Sequence, residues 1–346
     1  MARIVVAGAG AVGASIAYHL GLRGADDVVL ADRGHIASGA TGKAMGGVRQ
    51  QFSTKAEVRL AQDSLELFEQ LGAPFFQQVG YLFVATTDGG LAELEQRAEL
   101  QRGLGVPVES VDPSRVAGLN TDDVLGAVVC WQDGVAEPAE VTQELVRRAA
   151  ERGVEVREGT DARKLERDVL VVAAGAASPA LCPDLPIRPL CRQLVDVGPV
   201  AGLPADLPMV LEAETGFHFR RRGDTLRLAM AEPSPRWTDV EEVDEALVGD
   251  WRRRLAHRYP AAARAPVLRA WAGLYDMTPD AHPIIGWVGE GVYAACGFSG
   301  HGFMQSPAVG RAVAEELLEG KSSLDLSPYR LERFAGDEVF PEELIL

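Results

Sequence analysis

Ala2-Arg-Ile-Val-Val-Ala-Gly8-Ala-Gly10-Ala-Val-Gly13, continued by a helix-forming run and then by Val28-Val-Leu-Ala-Asp32, decides the fold of this chain. The order is strand, glycine turn, helix, strand, acid. Ile4 to Val6 read as a buried parallel strand. Gly8 permits a tight turn, Gly10 lets the backbone approach a pyrophosphate, and Gly13 lets helix and strand pack closely. The first N–H groups of the helix then face phosphate oxygens. Asp32 stands about twenty residues past the glycines, where a carboxylate accepts hydrogen bonds from ribose hydroxyls. These features predict a site for the ADP half of a dinucleotide. They leave open whether the cofactor is FAD or NAD.

Working outward, the 346 residues are enough for two domains, and 47% of them are hydrophobic, a globular composition. Fifty acidic against 34 basic side chains leave a net charge of −16, which argues against nucleic-acid and anionic-membrane partners. No apolar run approaches the roughly 20 residues needed to span a bilayer. The chain enters its first strand at once, leaving no room for a signal peptide, and the expected location is cytoplasmic. Cys130, Cys182, Cys191 and Cys296 form no CxxC pair and have no histidine cluster beside them, so buried thiols and no metal site are expected.

Periodicity predicts helices over 14–22, around 58–71, and over 91–104, 140–152, 239–259 and 306–318. Strands are expected at 80–86, 124–131, 153–157, 168–174 and 292–296, with another starting at 267 and short, proline-interrupted ones between 186 and 228. The Glu-rich C-terminal run reads as a solvated end. The fold class expected is α/β: a Rossmann-like nucleotide-binding domain from residues 1–79, 134–185 and 270–346, and a second, mostly antiparallel β substrate domain from 80–133 and 186–269. Ligand sites favour the junction of such domains.

Three further segments bear on the chemistry: Ser38-Gly-Ala-Thr-Gly-Lys-Ala-Met-Gly-Gly-Val-Arg-Gln-Gln-Phe52, Gly273-Leu-Tyr-Asp-Met-Thr-Pro-Asp-Ala-His-Pro-Ile-Ile-Gly286 and Gly297-Phe-Ser-Gly-His-Gly-Phe-Met304. With the N-terminal fingerprint and Ala173-Ala-Gly175, they resemble the flavin-dependent D-amino acid oxidase superfamily, in its glycine oxidase and sarcosine oxidase branch. The resemblance spans nearly the whole chain and implies FAD. It implies contacts to FAD from Gly8, Gly10, Ala11, Val12, Gly13, Asp32, Arg33 and Ser38, and from Ala162, Ala174 and Gly175. It implies that Thr41, Lys43, Met45, Gly46, Gly47 and Gly273 line the flavin, and that Gly297, Ser299, Gly300, His301, Gly302, Phe303 and Met304 close over it. Small residues there bring backbone N–H groups near the ring, where they stabilise negative charge.

The same resemblance implies oxidation of a C–N bond, with hydride moving to flavin N5, and an acceptor that is oxygen or a dye or quinone. The substrate implied is a small amino acid of the proline, sarcosine or glycine kind. Arg49 is the candidate carboxylate anchor, His218 and Tyr275 are candidate substrate contacts, and Arg227 lies near the place of an oxygen-activating lysine. Departures matter as much. Lys43 stands where some relatives attach FAD through histidine, and Gly273-Leu274 where others use cysteine, so FAD is expected to be non-covalent. Two familiar carboxylate anchors are replaced by Tyr275 and Met304, and a hairpin common between 159 and 168 is missing. A flavoprotein subunit of a larger complex, with an electron-transfer or assembly role and a degenerate pocket, is therefore an alternative. An NAD-dependent dehydrogenase is a second.

Overall fold

A computed structural model describes residues 2–336 and 341–342. In chain order the elements are β1 (Ile4–Ala7), α1 (Ala11–Leu22), β2 (Val28–Ala31), β3 (Gly47–Val48), α2 (Lys55–Leu71), β4 (Phe76–Gln77), β5 (Tyr81–Ala85), α3 (Asp88–Gly103), β6 (Val108–Ser110), β7 (Gly126–Cys130), β8 (Gly134–Ala136), α4 (Pro138–Ala150), β9 (Glu155–Arg157), β10 (Val169–Val172), β11 (Arg188–Val197), β12 (Met209–Glu212), β13 (His218–Arg222), β14 (Thr225–Ala229), α5 (Glu245–Arg258), β15 (Val267–Met277), β16 (Ile284–Gly289), β17 (Val292–Cys296) and α6 (Gly302–Glu319).

The opening stretch folds as its residue types require. β1 sits inside a six-stranded sheet ordered β16-β17-β10-β1-β2-β9. The pairings from β17 to β9 are parallel, and β16 adds an antiparallel edge. Ile4 and Val6 pack under α1, α4 and α6, while Val5 and Ala7 pack with Leu170, Val172 and Leu185 on the other face. A strand covered on both faces has no polar alternation, which explains the unbroken apolar run. α1 approaches β1 so closely that a Cβ on Gly13 would lie 1.8 Å from the carbonyl oxygen of Gly8.

The second layer is an eight-stranded sheet, β15-β11-β14-β13-β12-β5-β7-β6. Its pairings are antiparallel except for β12 beside β5. One face buries Val195, Val210, Phe219 and Leu228 against Trp251 and Leu255 of α5. Register places Tyr81, Met209, His218, Ala229, Leu194 and Arg192 on the opposite face. A small third sheet, β3-β8-β4, lies between the two in sequence.

Three expectations need correction. The helix expected from residue 239 begins at Glu245, because the Asp244 side chain accepts from the Ala246 N–H and caps it; residues 239–244 are irregular. The last helix starts at Gly302 rather than Ser306. Pro307 lies inside the helix, and Ser306 Oγ donates to the Phe303 carbonyl that proline cannot reach. The acidic C-terminal run is not solvated at Glu342, which is buried and accepts from the N–H groups of Ser53 and Thr54. Residues 337–340 and 343–346 of that run lie outside the described residues. No helix among the described residues is long and apolar enough to cross a membrane.

Candidate active site

A cavity of about 470 Å³ reaches from Asp32 and Ala162, past the glycine turn, to Arg192 and His218 on the eight-stranded sheet. At the first end Gly8 has φ of 112°, and a Cβ there would come 2.3 Å from the Ala173 carbonyl oxygen. Gly10 is the N-cap of α1, and the Ala11 N–H donates to Thr41 Oγ1 at 3.0 Å. The Asp32 carboxylate accepts from the N–H groups of Ala9 and Gly34, both at 2.7 Å, which fixes its orientation. Arg33, Ser38, Ala162, Ala174 and Gly175 complete the wall. A backbone cradle with no room for side chains, a helix N-terminus and an oriented acid fit a pyrophosphate and its ribose.

Further along, Thr41, Lys43, Met45, Gly46, Gly47 and Gly273 line the cavity, with Gly300, His301, Gly302, Phe303 and Met304 beside them. Gly46 has φ of 86°, and a Cβ there would lie 2.2 Å from the Ala136 carbonyl. Two buried guanidiniums hold this loop by its carbonyls: Arg220 Nε donates to Met45, and Arg227 Nη1 donates to Ala44 at 3.3 Å. Their charges are met by Glu137 and Asp196. Gly300 packs on the Tyr275 ring, its Cβ position 2.3 Å from Cε2, so no other residue fits against that ring. Lys43 pairs with Glu241, which reaches the cavity from the irregular stretch before α5.

Four residues singled out from the sequence are not on the cavity wall. Gly13 lies behind the turn, packed on Gly8. Gly297 donates its N–H to Asp276 Oδ2 at 2.7 Å, and the buried Ser299 hydroxyl accepts from the Thr278 N–H at 3.2 Å. These three shape the loops rather than face the space they enclose. Arg227 is committed to Asp196, at 2.9 Å, and to Ala44.

The far end is lined by Arg49, Tyr81, Arg192, His218 and Tyr275. Arg49 is 1% exposed, donates to the Gln51 carbonyl, hydrogen-bonds Tyr81 and lies 4.0 Å from the Phe52 ring centroid. Its loop is fastened by Asp133, which accepts from the Gln50 N–H at 3.0 Å and from the Gln50 and Gln51 amides at 3.1 Å. Burial pushes the tyrosine hydroxyls of Tyr81 and Tyr275 above their ordinary range, so both remain donors. His218 Nδ1 lies 2.7 Å from the Gly216 carbonyl, which only accepts; Nδ1 therefore carries the proton and Nε2 presents a lone pair. Burial, reinforced by Arg49 and Arg192, holds its pKa at about 4. Sequence reasoning passes over Arg192, Tyr81 and Glu241. For Arg192 a signal existed: a lone cation inside the apolar strand run Leu190-Cys-Arg-Gln-Leu-Val.

A family model described as DAO, FAD dependent oxidoreductase, matches residues 3–316. The bovine FAD-dependent oxidoreductase domain-containing protein 1 is 28% identical, over 99% of this chain and 87% of that protein. The 4-methylaminobutanoate oxidase (formaldehyde-forming) of Paenarthrobacter nicotinovorans is 26% identical over 97% of this chain, which spans only 46% of the oxidase. Among solved structures, L-proline dehydrogenase from P. horikoshii superposes with a TM-score of 0.90 at 29% identity, covering 98% of this chain and 99% of that one.

Proposed function

The chain belongs to the DAO family of FAD-dependent oxidoreductases and its cofactor is FAD; from that premise we propose that it oxidises the C–N bond of a small amino acid or N-substituted amino acid, of the proline, sarcosine or glycine kind. The observation that carries this reading is the donor-rich far end of the cavity, where two guanidiniums and two phenols converge beside a neutral imidazole. Such a set suits a carboxylate with an adjacent uncharged amine. In the proposal Gly8, Gly10, Ala11, Val12 and Asp32 hold the ADP half of FAD, and Thr41 to Gly47, Gly273 and Gly300 to Met304 hold its flavin end. Bound FAD supplies the two-electron acceptor. The protein's own groups orient the substrate: the cationic side takes the carboxylate, and His218 Nε2 accepts from the amine N–H. The acceptor for the electrons is oxygen or a dye or quinone, and membership of a larger complex belongs to the same proposal. We also propose the division into a nucleotide part (1–79, 134–185, 270–346) and a substrate part, with β15 passing from one to the other.

FAD is proposed to be non-covalent. Lys43, Gly273 and Leu274 offer no thiol or imidazole, and burial pushes the Cys296 thiol in the cavity wall upward, leaving it unreactive. The test begins with acid precipitation of the flavin-loaded protein, which is expected to leave the yellow colour in solution. Anaerobic addition of proline, sarcosine, glycine and other N-methyl amino acids is then expected to bleach the flavin with at least one of them. If none bleaches a fully loaded sample, the oxidation reading is wrong.

The state of His218 gives a pH prediction. With its pKa at about 4, it stays neutral across the working range, so kcat/KM is expected to rise with deprotonation of the substrate amine alone. A second limb near about pH 6.5, abolished in His218→Gln, would show that His218 titrates during turnover and contradict its assignment as a neutral acceptor.

A further inference from the structure

We propose that Arg192 anchors the substrate carboxylate and makes the site select small, apolar amino acids over simple amines. The inference rests on the oxidation reading above and names the residue that would set its substrate class. Five arginines of the described structure are at least nine-tenths buried: Arg49, Arg192, Arg220, Arg227 and Arg258. Three of them meet a carboxylate within hydrogen-bond distance, Arg220 on Glu137, Arg227 on Asp196 and Arg258 on Glu212. Arg49 is bonded to Gln51 and Tyr81. Arg192 is 9% exposed, yet its Nε and Nη1 are buried with no hydrogen-bond partner among the described residues.

A guanidinium taken out of water without a counter-charge is costly, and native interiors rarely leave such donors unmet. The cavity is where the missing acceptor fits. Arg192 lines it from β11, directly opposite Gly273 on β15, whose missing side chain leaves room for the Lys43 chain rather than for a partner to the guanidinium. It lies 6.0 Å from the Tyr275 ring centroid, a second donor that converges on the same space. On this sheet face the cavity wall carries the apolar Leu194, Met209 and Ala229 together with Tyr81 and His218. The occupant they describe is a monocarboxylate with a short apolar body. Arg49, by contrast, holds its own loop and reaches the ligand as a fixed background charge.

The decisive measurement is calorimetric titration of the flavin-loaded enzyme with cyclopentanecarboxylate, which has the shape of proline but no C–N bond to oxidise. Cyclopentanecarboxamide is the uncharged control. Arg192→Met is expected to weaken carboxylate binding about 10- to 100-fold, with carboxamide binding, FAD content and melting temperature unchanged. Arg192→Lys is expected to recover only part of the loss, because an ammonium lacks the planar donors. If Arg192→Met does not fold, Arg192→Lys decides: unchanged carboxylate affinity overturns the assignment. Undiminished carboxylate binding in Arg192→Met overturns it outright. Because the probe is not turned over, the two readings fail separately. Tight carboxylate binding with no amino acid able to bleach the flavin removes the oxidation reading and leaves the anchor. Bleaching with an unchanged KM in Arg192→Met removes the anchor and leaves the oxidation reading.

Discussion

Gly13→Ala is expected to yield protein that carries no FAD and melts well below the parent. The added Cβ would lie 1.8 Å from the Gly8 carbonyl oxygen, whereas real Cβ atoms essentially never come under 3.0 Å. Both sides of the clash are backbone, so no rotamer relieves it. α1 must move away from β1, and the N-terminal turn that carries Gly10 and Ala11 moves with it. Overpacking of this kind costs up to about 3 kcal/mol, and here it also displaces the pyrophosphate cradle. Flavin absorbance per protein and thermal denaturation check it. Gly89→Ala is the control, since a Cβ at Gly89 meets nothing within 4 Å. A Gly13→Ala protein with the parent's flavin content would show that close packing of α1 on β1 is not what the turn requires.

Asp133→Ala is expected to lower stability by about 3 kcal/mol or more, because unsatisfied buried donors cost about 1–3 kcal/mol each. Asp133 is fully buried and satisfies the Gln50 N–H and the side-chain amides of Gln50 and Gln51. These residues follow Arg49 directly, so the loop that holds Arg49 against Tyr81 and Phe52 loosens as well. Burial also raises the Asp133 carboxyl from 3.8 to about 6. A carboxyl whose pKa is raised on folding contributes most below its unfolded value, and that contribution is lost as pH rises through about 6. The stability gap between parent and Asp133→Ala is therefore expected to be wider at about pH 5 than at about pH 7.5, by about 1 kcal/mol. Denaturant titrations at the two pH values measure it. Equal gaps, or a wider one at the higher pH, would mean that the carboxyl is not held protonated by burial.

Much of the nucleotide end was legible because its chemistry is local. Gly8, Gly10 and Asp32 act through backbone geometry within one strand-turn-helix-strand unit, and each lines the cavity. The flavin loops were legible for a related reason: Thr41, Gly46, Gly47 and Gly300 are small residues in contiguous motifs, and contiguity keeps them together in space. Gly297 and Ser299 share a motif with wall residues but turn inward to Asp276 and Thr278, a distinction one residue of backbone rotation makes and composition does not. The stretch 239–244 misled because its periodicity suits a helix, while the Asp244 cap halts the helix at Glu245.

The substrate end is different in kind. Sequence reasoning chose Arg49 and passed over Arg192, although Arg192 is a lone cation inside an apolar run. What separates them is which acceptors lie within reach. Gln51 and Tyr81 occupy Arg49, Asp196 occupies Arg227, and among the described residues no hydrogen-bond partner meets the Nε and Nη1 of Arg192. The sequence by itself determined the doubly covered parallel sheet, the glycine turn and the flavin loops, because strand burial, positive φ and close backbone approach are written in the residues that must satisfy them. Only the tertiary structure decided which buried charge lacks a partner, because pairing across β11, β13, β14 and β15 joins residues far apart in the chain, and a missing counter-charge exists only once every neighbour is in place.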